Sequence, residues 1–149
     1  MATTFKWYAE GIKSLMNKEI DLDTDTLKIS LHTSGYTPNN DTDAQYASLS
    51  NEVTGTGYTA GGVTVTGCSL IVSTSGNTVE LRSTHDPVRW ANSTITARHA
   101  VLYDDSHANT RVIGYATFGD ASPADVVSTT GNFDLALDDT NNMILKFSY

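Results

Sequence analysis

Eight short stretches of apolar, often β-branched residues, set apart by clusters of Gly, Asn, Asp, Ser and Thr, confine this chain to an antiparallel β architecture. They run over 26–32, 58–65, 69–73, 78–82, 95–103, 111–118, 133–137 and 143–149. Gly61-Gly62, Ser75-Gly-Asn77 and Asp138-Asp-Thr-Asn-Asn142 supply turn chemistry between some of them. No βα unit repeats along the chain. The pattern therefore predicts a mainly β fold, a β-sandwich or jelly-roll-like barrel of about eight strands with one N-terminal helix.

Individual stretches carry more detail. In Thr26–His32, Leu27, Ile29 and Leu31 alternate with Lys28, Ser30 and His32, the pattern of a half-buried strand. The segment from Thr94 to Asp105 and the segment from Arg111 to Asp120 read as adjacent antiparallel strands joined by a polar turn, with apolar or small residues on both faces, as in a sheet packed on two sides. Phe133–Leu137 and Met143–Tyr149 read as a C-terminal hairpin. Gly35–Ser50 has no sustained period and predicts a long loop holding Tyr36 and Tyr46.

The single helical pattern lies at about 5–18, where Phe5, Tyr8, Ile12, Leu15 and Met16 recur at spacings of three and four, with Thr3 or Thr4 as the N-cap. Trp7 falls off that stripe, on the line of Gly11, Ser14 and Lys18. Two readings follow: a contact with another subunit, or packing within its own chain.

At 149 residues the chain fits one domain, 1–149, with enough bulk to bury a core without a disulfide or a metal. A net charge of −8 argues against a partner held by phosphate neutralisation, so no nucleic-acid partner is expected. No stretch approaches a membrane-spanning length, and the start lacks the basic and apolar run of a signal peptide, which predicts cytoplasmic synthesis and no membrane partner. Cys68, the one cysteine, reads as a small buried residue and not as a reactive thiol.

No chemical motif is complete. Asp21, Asp23 and Asp25 open like a calcium-binding EF-hand loop, but Thr26 stands where Gly is needed and His32 where the bidentate Glu belongs; a looser calcium site or a solvated acidic turn remain. The histidines His32, His85, His99 and His107 lack metal-site spacing, and His99 reads as a hydrogen-bonded strand residue. No nucleophile elbow or phosphate loop is present. Trp90, after Pro87, reads as a short edge strand and as core packing before a sugar-binding platform. No enzyme, cofactor or metal is expected.

The order of segments carries a resemblance. An N-terminal helix is followed by Ile20-Asp-Leu-Asp-Thr-Asp-Thr-Leu-Lys-Ile-Ser-Leu31, Tyr36-Thr-Pro38, Asn51-Glu-Val-Thr-Gly-Thr-Gly-Tyr-Thr-Ala-Gly-Gly62, and Trp90 with Ile95-Thr-Ala-Arg-His-Ala-Val-Leu-Tyr-Asp-Asp105. This order resembles small virion proteins of tailed bacteriophages over nearly the whole chain, most specifically in Asn51–Gly62 and Thr94–Asp105. The resemblance implies a structural protein of the virion made in the host cytoplasm, with no catalytic residues. Within it, a small, acidic, β-rich chain suits a capsid decoration or cement protein, a homotrimer that binds the major capsid protein or another virion protein. Trp7, Tyr36 and Tyr46 are the candidate subunit or shell contacts. A tail, neck or fibre-base protein and a carbohydrate-binding module are the alternatives.

Overall fold

The computed structural model describes residues 3–119, 121–137 and 141–149. The chain is mainly β and sandwich-like, with ten strands and one α-helix among the described residues. In chain order these are β1 (Lys6–Trp7), α1 (Ala9–Met16), β2 (Leu27–His32), β3 (Val63–Thr64), β4 (Cys68–Ser73), β5 (Thr78–Ser83), β6 (Val88–Ala97), β7 (His99–Asp104), β8 (Val112–Thr117), β9 (Val126–Leu135) and β10 (Met143–Ser148). All strand pairs are antiparallel. They form a five-stranded sheet β1-β8-β7-β2-β3, a three-stranded sheet β10-β5-β4 and a two-stranded ribbon β6-β9.

One apolar core joins the three sheets. Leu27, Ile29 and Leu31 of β2, Ala100 and Leu102 of β7 and Ile113 of β8 meet Leu81 of β5, Leu145 of β10, and Trp90, Ile95, Phe133 and Leu135 of the ribbon. The alternation read in β2 is what sends its three aliphatic residues into that core. All six residues of β7 are buried, because its other face is covered as well.

The helix departs from expectation in length and in orientation. Lys6 and Trp7 pair with Tyr115 and Gly114 as a strand, so the helix starts after Tyr8 and spans eight residues, not 5–18; neither Thr3 nor Thr4 caps it. Sheet pairing of the backbone outweighs the local helical period. The helix buries Gly11 and Ser14 and leaves Met16 exposed. A Cβ on Gly11 would lie 2.7 Å from the Ile113 carbonyl oxygen, so only small residues permit this backbone-to-backbone approach.

Several strand assignments also change. The 95–103 stretch is two strands on different sheets: Arg98 is the corner, its amide bonded to His32 C=O and its carbonyl to the Phe118 amide. The C-terminal hairpin does not form, since β9 pairs with β6 and β10 pairs with β5; its expected turn lies partly outside the described residues. Phe133 lies in a ten-residue strand that begins at Val126. Trp90 belongs to the equally long β6. The 58–65 stretch contributes two paired residues, because Gly61 and Gly62 turn through positive φ, Gly62 against the backbone of Ile29.

Candidate assembly surface

The long loop and the sheet it lies on form a closed polar and aromatic layer. Tyr8, Tyr36, Val101, Tyr103 and Val112 make a second buried cluster, against which Tyr46, Leu49 and Tyr115 pack. The Tyr8 and Tyr36 hydroxyls are 2.6 Å apart, and Tyr36 Oη donates to Asp43 Oδ2 at 2.7 Å. Tyr46 stacks on Tyr103 at 4.2 Å and 9°. Glu52 accepts from Tyr46 Oη at 2.5 Å, Tyr58 Oη at 2.7 Å and the Gly61 amide at 2.7 Å. Burial, more than any neighbour, holds the phenols of Tyr8, Tyr36, Tyr46, Tyr58 and Tyr103 above their ordinary range. Tyr36 is 4% exposed, so it serves the fold of its own chain and offers no surface to a partner. Tyr46 is half-buried, and its hydroxyl is taken up by Glu52.

His32 and His99 are register partners on β2 and β7, and Tyr36 packs on both rings. His32 Nε2 lies 3.0 Å from Ser30 Oγ and Nδ1 lies 2.9 Å from Ser50 C=O; His99 Nδ1 lies 3.0 Å from Thr117 Oγ1. Burial pushes both imidazoles below their usual range. Ser30 and His32 have the contacts of a nucleophile and its base, but both are buried and a substrate cannot reach them. Cys68 is half-buried, not buried as expected, and that burial pushes its thiol up. Trp90 is 3% exposed and packs on Phe133, which leaves no ring face for a sugar.

The acidic turn folds on itself. The Asp23 amide donates to Asp21 Oδ1 at 3.0 Å and the Asp21 amide to Asp25 Oδ2 at 2.7 Å. Among the described residues no three His, Cys, Asp or Glu side chains come together as metal ligands. A cavity of about 390 Å³ opens between the ends of β8 and β9, with Phe118, Phe133 and Leu135 among its apolar lining and Thr3, Thr4 and Asp134 among its polar lining. Asp134 is already bound twice by Arg89, at 2.6 and 2.7 Å.

The three-stranded sheet is different. Val72, Val79 and Phe147 are direct cross-strand partners, and Trp7 stacks on Phe147 at 4.2 Å and 23°. This row continues the core-facing side of the sheet, where Leu70, Leu81 and Leu145 stand in register, out past the core. Val72 is 62% exposed, Leu70 45% and Phe147 38%. Ile71, on the opposite face of β4, is 37% exposed.

The two edges of this sheet are finished differently. The amide of Ser83 bonds Asn142 C=O and that of Tyr149 bonds Asn77 C=O, so odd-numbered residues of β5 face β10 and even-numbered ones face β4. On β10, Lys146 therefore points its carbonyl outward, and Trp7 Nε1 closes it with a 2.9 Å hydrogen bond. Trp7 thus packs within its own chain, the second of the two readings above, while its neighbour Phe147 stays partly exposed. On β4, Leu70 and Val72 point their amides and carbonyls outward. The Leu70 amide donates to Asp23 Oδ1 at 3.3 Å, and among the described residues the outward groups of Val72 have no partner.

No family model, no curated protein and no solved structure matches this chain. The surface itself is the ground on which function can be argued. Sequence reasoning named Trp7 but missed Leu70, Val72 and Phe147. The signal was available in Cys68-Ser-Leu-Ile-Val-Ser73, a strand of high β propensity without charge or proline, the composition that natural proteins avoid on an open edge.

Proposed function

We propose that the protein is a non-enzymatic structural component of a tailed-phage virion, a capsid decoration or cement protein that binds the major capsid protein or another virion protein. The observation that carries this reading is the uncharged edge strand β4, held at its outer side among the described residues by the Asp23 carboxylate alone, beside the exposed Leu70, Val72 and Phe147. A stable chain that leaves such an edge open risks aggregation unless assembly covers it. The net charge of −8 favours solubility before assembly, because copies repel at long range until a short-range contact forms. The closed aromatic layer keeps the Ser30–His32 pair from solvent. Many modest contacts, repeated over a shell, add up by multivalency and stabilise it by mass action.

The test is gradient co-sedimentation of the purified chain with separated heads and tails of the phage whose genome encodes it. Binding to heads supports decoration. Binding to tails alone moves the protein to the tail or neck, and binding to neither ends the virion reading.

A further inference from the structure

The geometry points to a second copy of this chain as the occupant of the β4 edge, paired antiparallel about a two-fold axis through Ile71. This inference rests on the assembly reading above and names the partner for its open edge. Three observations carry it. The first is backbone direction: Leu70 and Val72 are the β4 residues whose outward groups flank Ile71, so an axis there sets Leu70 of one copy against Val72 of the other in two hydrogen-bonded pairs.

The second is the sequence. Ser69-Leu-Ile-Val-Ser73 is a palindrome in polarity, and the same axis sets Ser69 against Ser73, Leu70 against Val72 and Ile71 against itself. Residues directly opposite in an antiparallel pair share a face, so Leu70 and Val72 meet their counterparts on one side of the sheet and Ile71 meets Ile71 on the other. An axis through Leu70 would instead oppose Ile71 to Ser69, and one through Val72 would oppose it to Ser73. Only the Ile71 axis matches every apolar residue with another.

The third is charge. β4 itself has no ionisable carboxylate, amine or guanidinium, so the side chains of two identical strands meet there without like-charge repulsion, and the nearest carboxylate along the edge is that of Asp23. Asp23 holds the Leu70 amide through one long hydrogen bond of 3.3 Å, a guard that a strand carbonyl can replace. At the far edge, Trp7 occupies the Lys146 carbonyl, which disfavours head-to-tail pairing of β4 with β10 and hence an open fibre. The product is one continuous six-stranded sheet across two chains. A two-fold pair replaces the homotrimer implied by the phage resemblance.

The experiment uses the full chain with Cys68→Ser as background. Ile71→Cys places two thiols in a non-hydrogen-bonded pair, with Cα atoms about 4.5 Å apart, within disulfide reach. Val72→Cys places its thiols on a diagonal about 7–8 Å apart, at or beyond that reach. Expected results are a two-chain mass by light scattering, a covalent dimer for Ile71→Cys under mild oxidation, and none for Val72→Cys alone. Mixing Leu70→Cys with Val72→Cys chains restores the cross-link, which keeps the test intact should one variant fold poorly. A one-chain or three-chain mass overturns the proposal, as does equal cross-linking of Ile71→Cys and Val72→Cys. Particle binding without the Ile71 cross-link removes the pairing and leaves the assembly reading. Cross-linked pairs that sediment apart from heads and tails do the reverse.

Discussion

The outer face of the five-stranded sheet and the free edge of the three-stranded sheet are opposite solutions within one chain. Over β7 the protein folds a long loop back and fixes it with Tyr36, Tyr46 and Glu52, so that every residue of the strand is buried. Along β4 it leaves three aliphatic side chains in solvent, with one carboxylate hydrogen bond along the outer edge. Both strands are apolar, so hydrophobicity alone does not decide which is covered. The difference lies in polar anchoring: the loop supplies buried hydroxyls with acceptors, and nothing comparable reaches β4. A face closed in this way stabilises the monomer, whereas an edge left open is available for another chain.

The largest effect should come from breaking the closed side. Tyr36→Ala removes a buried aromatic and leaves the Tyr8 hydroxyl and Asp43 without that partner, so unfolding free energy should fall by about 3–5 kcal/mol. Urea unfolding checks this, and a loss below 1 kcal/mol would mean the loop is not pinned through Tyr36. Glu52→Ala deprives two phenols of their shared acceptor and should cost about 2–3 kcal/mol by the same measurement.

Acid should act on the same side. His32 and His99 have folded-state pKa values below the unfolded value of 6.5, so the unfolded chain binds more protons in the window beneath it. Their contribution is fully present above about pH 6.5 and is lost as pH falls below that value, by up to about 1.4 kcal/mol per pH unit for each histidine. Asp104, whose carboxyl burial pushes upward, works in the opposite direction, its contribution being present at low pH and lost as pH rises. Thermal melts from pH 7.5 to 5 should show the decline, and His32→Gln with His99→Gln should flatten it. The smallest effect on stability belongs to the open side: Leu70→Lys with Val72→Lys should change unfolding free energy by no more than about 0.5 kcal/mol each while abolishing self-association.

The fold class was legible from strand spacing and turn residues, because alternation such as Leu27-Lys-Ile-Ser-Leu31 reports local geometry directly. Partnership was not. Nothing local in Ile95–Tyr103 marks Arg98 as the corner between two sheets, and nothing in Met143–Ser148 selects β5 over β9. The helix face was misread because Gly11 and Ser14 pack through the absence of side-chain bulk, which apolar periodicity does not register. Tyr36 and Tyr46 looked like surface contacts in a polar loop, yet their hydroxyls find acceptors at Asp43 and Glu52, which allows both rings to turn inward. Of the assembly surface, Trp7 was named from its place off a helical stripe, whereas its position is that of a strand residue whose indole caps an edge carbonyl.

The measurement that tests the account most directly is hydrogen–deuterium exchange of the intact chain at low and high concentration, read at Val72 and across His99–Asp104. The account predicts that the Val72 amide exchanges freely when dilute and becomes protected as concentration rises, while the β7 amides stay protected throughout. A Val72 amide that exchanges equally fast at every concentration would contradict it.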